Sequence, residues 1–371
     1  MNEGLLSGLD LVRFWPNYIM FIVGGILIWL AIRKDYEPML LLPMGFGAIL
    51  ANIPFSFVIN PDEHGFLSLL YNAGIVTELF PILIFVAVGA MIDFSPLLRQ
   101  PVMLLFGAAA QFGIFFTMII AAQLGFSLRE AASIGIIGAA DGPTSIFVAA
   151  RFARQFLGPI SVAAYSYMAL VPIIQPPVIR ALTTPAERRI RMDYREGEPI
   201  SKTVRILFPI IVTVIAGVVA PISVALVGSL MFGNLLRECG VTERLARSAQ
   251  NELADLVTLL LGITIGATMV ASRFLTLSTL AILAMGLLAF VADTAGGVLF
   301  AKFLNLFLKQ KINPMIGACG ISAFPMSARV VHKLGLKEDP HNFLIMPAIG
   351  ANVAGQIASI IAGGLILALV H

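Results

Sequence analysis

The chain has 371 residues, 58% hydrophobic and only 12% charged, with a formal net charge of +3 and a mean hydropathy of +0.94. Those values exclude an ordinary soluble domain, and basic residues scattered through short loops argue against a nucleic-acid partner. Apolar runs long enough to cross a bilayer, about 20 residues each, recur from Tyr18 to the C-terminus, so an all-α polytopic membrane protein is expected.

The first run, Tyr18 to Ile32, follows a head bearing Glu3 and Asp10 instead of a basic region and is expected to be a retained span. The loop "NPDEHG" (60–65) lacks Lys and Arg, and Asp93, before "FSPLLRQP", is expected at an interface. "GIIGAADGPTSIFVA" (135–149) then places Asp141 beside Gly142-Pro143 inside an apolar segment. No helix runs intact through that dipeptide, so the segment is broken or re-entrant. A carboxylate at this depth costs several kcal/mol and marks an ion pathway; alternatively, Asp141 caps the second half-helix, bonded to Thr144 or Ser145, and both roles are compatible. Tyr165 and Tyr167 follow, as proton relays or as core aromatics. The polar loop "TTPAERRIRMDYREGEPISK" (183–202) holds Arg188, Arg189, Arg191, Arg195 and Lys202, which places it in the cytoplasm.

Beyond the loop the pattern recurs. "ELFPILIFVAVGAMIDF" from Glu78 matches "DLVTLLLGITIGATMVASRF" from Asp255, with Gly89-Ala90 on Gly266-Ala267. Nearly the same spacing carries "IGAADGPTS" onto "IGACGISAFPMS" from Ile316, and Pro172 onto Pro347. Two repeats are therefore expected, 1–182 and 203–371, joined by the 183–202 loop. Each has about five crossings plus one interrupted or re-entrant helix, and an odd number of crossings makes the repeats inverted. Positive charge puts the "RECGVTERLARS" loop and the Lys309 to Lys337 region inside and "NPDEHG" outside, at the cost of leaving Arg129, Arg151 and Arg154 outside.

The second half offers Asn313-Pro314, Gly317 and Ser322 in its own interrupted segment, "NPMIGACGISAFPMSA", and Asn352 and Gln356 in the last apolar run. Such hard neutral oxygens suit sodium when one carboxylate supplies the charge, although Asn and Ser also bind membrane helices together. Asp293, in "FVADTAGG", is the better candidate for a second site. Arg329 either binds an anion or marks the cytoplasmic side. Cys239 and Cys319 are far apart and read as packing residues. The four histidines do not cluster, and there is no P-loop, dinucleotide fingerprint, HExxH or biotin-acceptor "AMKM".

With "EPMLLLPMGFGAILANIP" (37–54), "GAADGPTSIFV" (138–148), "GACGISAFPMSARV" (317–330) and "NFLIMPAIGANVAGQIAS" (342–359) in order, the chain closely resembles the β subunit of the sodium-pumping, biotin-dependent decarboxylases along nearly its whole length. Those enzymes act on oxaloacetate, methylmalonyl-CoA or glutaconyl-CoA. The resemblance implies a multi-pass subunit of the cytoplasmic membrane that decarboxylates carboxybiotin while moving sodium outward. A carboxyltransferase α subunit, a biotin carrier and a small membrane-anchored subunit are the implied partners, and the β subunit is expected to form oligomers. The family's functional residues fall on Asp141, Tyr167, Asn313, Gly317, Ser322, Arg329 and Asn352. Asp141, Tyr167 and Arg329 are the implied catalytic residues, with Arg329 as the carboxybiotin contact; Asp141, Asn313, Gly317, Ser322 and Asn352 are the implied sodium ligands. Ala140 is one minor departure. Short connecting segments favour the acyl-CoA enzymes, and a stand-alone sodium-coupled carboxylate symporter is the alternative function.

Overall fold

A computed structural model describes residues 13–59, 65–192, 200–219 and 221–370. The acidic head, most of "NPDEHG", and Arg195 within the polar loop lie outside the described residues. Among those described, every regular element is helical.

In chain order, α1 (Trp15–Lys34) and α2 (Pro38–Asn52) pack as a pair, and α3 (Phe66–Leu70) continues through a π-helical turn, Tyr71–Val76, towards α4 (Leu79–Met91). After α5 (Ser95–Arg99), α6 (Met103–Ala110) and α7 (Phe112–Gln123) meet at Gln111. Helix α8 (Leu128–Gly135), a 3-10 turn (Ile136–Ala139) and α9 (Gly142–Phe152) make a first hairpin, followed by α10 (Leu157–Ala169) and α11 (Val171–Leu182). Short α12 (Pro185–Arg188) leads to α13 (Lys202–Val219) and α14 (Val224–Glu238). Helix α15 (Glu243–Ser248) runs through a second π-helical turn, Ala249–Leu253, into α16 (Ala254–Thr268). Then come α17 (Ala271–Phe274) and α18 (Leu277–Phe307). A 3-10 turn (Pro314–Gly320) and α19 (Met326–Glu338) make the second hairpin, and α20 (Ile345–Leu369) ends the fold.

Among the described residues five helices are long and apolar enough to cross a membrane, or seven if two bent pairs, at 61° and 68°, each count as one span. This is a polytopic α-helical membrane protein. Length and composition do not by themselves give the expected five crossings per half. The apolar α2 falls short at 15 residues because Asn52 ends it, its amide donating to Met269 O and accepting from Ala271 N–H, all at 2.8 Å.

Lipid offers helices no hydrophobic reason to associate, so close backbone packing has to supply the contact. Helix α2 crosses α16 through Gly47 and Gly266, and α4 crosses α14 through Gly89 and Gly233. A Cβ at any of the four would strike the opposite backbone, at Ile263, Met44, Leu230 and Val86 respectively. The Gly89 and Gly266 that align in the sequence are thus both helix-crossing glycines.

Helix ends sort into two sets. At one end of the bundle Asn17 Nδ2 donates to Asn52 O at 2.9 Å, Arg151 pairs with Glu78, and Gln155 donates to Glu130 Oε1 at 2.9 Å. At the other, Arg237 donates to Met91 O at 2.7 Å, Gln250 to Ala90 O at 2.6 Å, Arg205 pairs with Glu238 at 3.1 Å, and Lys302 donates to Leu182 O at 3.0 Å. The first hairpin opens at the first end, where the Gln155–Glu130 bond holds its two limbs and the Arg151–Glu78 pair ties it to the start of α4. The second opens at the other end: Asn313 donates to Arg188 O and Ile190 O at 2.9 and 2.8 Å, and Arg188 pairs with Glu338 at 2.8 Å.

Candidate functional site

The hairpin tips meet inside the bundle. Ala140 takes a left-handed conformation (φ 52°) that reverses the chain after the 3-10 turn, and Asp141 is then extended, as the N-cap of α9. Its Oδ1 accepts the Thr144 N–H at 3.1 Å, and Ser145 Oγ donates to its main-chain oxygen at 2.8 Å. The capping role expected from the sequence is thus filled by one carboxyl oxygen. Oδ2 faces the second half of the chain and accepts Ser322 Oγ at 3.2 Å, Ser359 Oγ at 2.9 Å and Gln356 Nε2 at 3.4 Å. The main chains join as well, Ser322 N–H donating to Ala139 O at 2.9 Å. Asp141 is 2% exposed, with no cation bonded to it.

Two further oxygens are available. Asn352 donates its amide to Ile321 O at 2.6 Å, which leaves its Oδ1 buried and without a partner, as is Thr144 Oγ1. Among the described residues no three His, Cys, Asp or Glu side chains group as metal ligands. One carboxylate with neutral hydroxyl and amide oxygens suits a hard monovalent cation better than a transition metal.

The structure brings Asp141, Ser322 and Asn352 to this meeting point and adds Ser359. That serine lies one turn beyond Gln356 and two beyond Asn352, a 3.6-residue stripe of polar groups on α20 that the sequence does carry. Asn313 is elsewhere: its amide is spent on the 188–190 backbone, and its Oδ1 accepts Met315 N–H at 3.1 Å. Gly317 is buried against Gly297 of α18, where a Cβ would meet the Gly297 carbonyl. Tyr167 donates to Leu283 O at 2.5 Å, whereas the ring of Tyr165, 6% exposed, covers Gly142 next to Asp141. Arg329 is exposed on α19. Asp93 is exposed and caps α5 through Ser95 N–H at 2.9 Å. Asp293 is fully buried on α18.

A helical membrane protein with one buried carboxylate where two broken helices meet belongs to the class of ion-translocating proteins built on discontinuous helices. The family described as the Na+-transporting oxaloacetate decarboxylase beta subunit matches residues 16–370, and the chain belongs to that family. It is 48% identical over 375 residues to the methylmalonyl-CoA decarboxylase subunit beta of Propionigenium modestum, covering 95% of this chain and 94% of that one. It is 45% identical over 425 residues to oxaloacetate decarboxylase beta chain 2 of Salmonella typhi, covering 98% of each. The glutaconyl-CoA decarboxylase subunit beta of Acidaminococcus fermentans is 48% identical over 357 residues, covering 96% of this chain and 94% of that one.

Proposed function

We propose that this chain is the membrane subunit that decarboxylates carboxybiotin and moves sodium outward, with Asp141 as the ion site. The observation that carries this reading is a buried carboxylate, paired with no Lys, Arg or His among the described residues, at the junction of two hairpins that open at opposite ends of the bundle. Asp141, Ser322, Ser359, Asn352 and Thr144 would hold the ion. Asn313 and Gly317 would act one step removed, fixing the second hairpin so that Ser322 reaches Asp141. Family membership favours a decarboxylase subunit over the stand-alone symporter.

Orientation follows from charge. The end where the second hairpin opens carries Arg188, Arg189, Arg191, Lys202, Arg237, Lys302, Lys309 and Lys337, which we take as cytoplasmic in the inner membrane. Helix α14 then runs parallel to α4, and α16 parallel to α2, as two inverted repeats would. Arg329, exposed on the cytoplasmic hairpin, fits a carboxylate partner, and carboxybiotin brought by a biotin carrier supplies the CO2-releasing chemistry. Tyr165 shields Asp141 at the break, while Tyr167 anchors α10 to α18. The carboxyltransferase and a small anchoring subunit complete the assembly, with several β subunits. The relative from Salmonella typhi aligns over 425 residues, which requires insertions absent from this 371-residue chain, so an acyl-CoA is the favoured substrate.

The test is sodium-22 uptake into vesicles containing the purified complex, with decarboxylation followed in the same tubes. Asp141→Asn should lose both activities together; uptake at the wild-type rate would remove Asp141 from the ion path. An avidin blot of the purified protein should reveal a biotinylated companion, which a symporter would lack.

A further inference from the structure

One carboxyl at membrane depth takes no part in the assembly around Asp141. Asp293 stands midway along α18, fully buried, and among the described residues no side chain bonds to either of its oxygens. Gly113 of α7 and Gly138 of the 3-10 turn abut it so closely that a Cβ on Gly113 would lie 2.5 Å from Oδ1, and one on Gly138 would collide with Oδ2. The Gly113 and Ile114 N–H groups, on the first turn of α7, are turned towards it. Those N–H groups are its polar neighbours, no Lys, Arg or His among the described residues pairs with it, and a carboxylate at membrane depth without a cationic partner costs several kcal/mol. A residue kept there at that cost calls for a role.

Sodium does not fit the place. It needs several oxygen ligands, and the two glycine backbones fill the space where a coordination shell would stand. A proton needs only the carboxyl itself. Of the elements packed on α18, α6, α7 and the 136–139 turn have no ionisable side chain. The others carry Arg129 and Glu130 on α8, Tyr165 and Tyr167 on α10, Arg180 on α11 and Cys319 in the 314–320 turn, and α18 itself carries Lys302; none of these bonds to Asp293.

We propose that Asp293 is a second, proton-binding site of the pump, set behind the segment that carries Asp141. Gly138 is three residues before Asp141 in the same broken segment, so the charge on Asp293 is felt at the sodium site. A proton taken up by the Asp293 carboxylate removes that negative charge and weakens sodium binding at Asp141; its release restores the charge. Uptake of one proton thereby favours the loss of one sodium ion, with no direct competition for a shared oxygen. This inference rests on the sodium pump proposed above.

The experiment measures the half-saturating sodium concentration for sodium-22 uptake against pH, using proteoliposomes of the whole complex, in wild type, Asp293→Asn and Asp293→Ala. A proton at Asp293 acting against sodium should make it rise, by up to tenfold for each unit of falling pH, and either variant should make that rise shallower. An unchanged slope in a variant would overturn the proposal. So would failure of both variants to assemble, which would mark Asp293 as a packing residue. Asp141→Asn, run beside them, separates the two ideas: normal uptake there would break the pump reading itself, whatever Asp293 does.

Discussion

At the scale of single residues, the decisive arrangement is the division of Asp141 between two duties. Oδ1 is tied to its own helix and Oδ2 to the other half of the chain, so the capping role of Asp141 leaves a second oxygen free for the ion-binding role proposed above, as two compatible roles require. Its presence at a Gly-Pro break was legible because a carboxylate in an apolar run has few other reasons to be there. Ser322 and Asn352 were legible for the same reason. Ser359 was hidden in "GQIAS", since a serine at that spacing reads equally as helix glue until α20 is placed against the hairpin tips. Which of Tyr165 and Tyr167 approaches Asp141 was also undetermined, because the rotation of α10 is set by its packing on α18. Removing the Ser359 hydroxyl should cost a hydrogen bond to a charged group, about 1.5–3 kcal/mol. Ser359→Ala should therefore raise the half-saturating sodium concentration at least about tenfold while leaving assembly intact, as read by sodium titration of decarboxylation.

At the scale of elements, glycine decides which helices touch. The crossings at Gly47–Gly266 and Gly89–Gly233 bring backbones together where lipid supplies no squeeze. Gly233→Leu should therefore force α14 away from α4 and cost about 1–3 kcal/mol or more by overpacking, visible as a lowered melting temperature in detergent. Gly25 is the control, since a Cβ there meets nothing within 4 Å. Gly25→Ala within α1 should leave the melting temperature unchanged or raise it, by about 0.5–1 kcal/mol of stability. The broken helices were readable from their Gly and Pro residues. The two π-helical turns, at 71–76 and 249–253, carry no such signal, because an extra residue per turn reflects how the helix docks, not what it is made of. The break between α6 and α7 at Gln111 escaped notice for the same reason: nothing in "GAAAQFG" forbids a continuous helix.

At the scale of the whole molecule, the polar loop is a structural clasp as well as a marker of sidedness. Its Arg188 and Arg191 hold Glu338 and Asp339 at the end of α19, the latter pair at 2.6 Å, and Asn313 and Asn342 both donate to Arg188 O at 2.9 Å. The Arg191 side chain bonded to Asp339 holds that carboxyl down at about 2, below its ordinary 3.8. A carboxyl lowered in the folded state stabilises the fold above its unfolded value, and that contribution is lost as pH falls through the folded value. Hydrogen-exchange protection in residues 183–192, taken against the intrinsic amide rate at each pH, should therefore hold at pH 5 and fall between about pH 4 and pH 2. Arg191→Gln should bring the loss of protection to higher pH. Exchange in α20, which does not depend on this pair, should not follow. The two broken segments were legible from their Gly and Pro residues; the clasp was not, because it joins residues far apart in the chain through side-chain ion pairs and the Arg188 carbonyl.

The bond from Ser322 N–H to Ala139 O links the two hairpin tips without using a side chain. Ordinary substitutions at either position leave that donor and acceptor in place, so the seam between the two hairpin tips is largely proof against mutational drift. Only proline at 322 deletes the donor. The joint between the halves is thereby written into the main chain, and side chains around it are free to diverge without unfastening it.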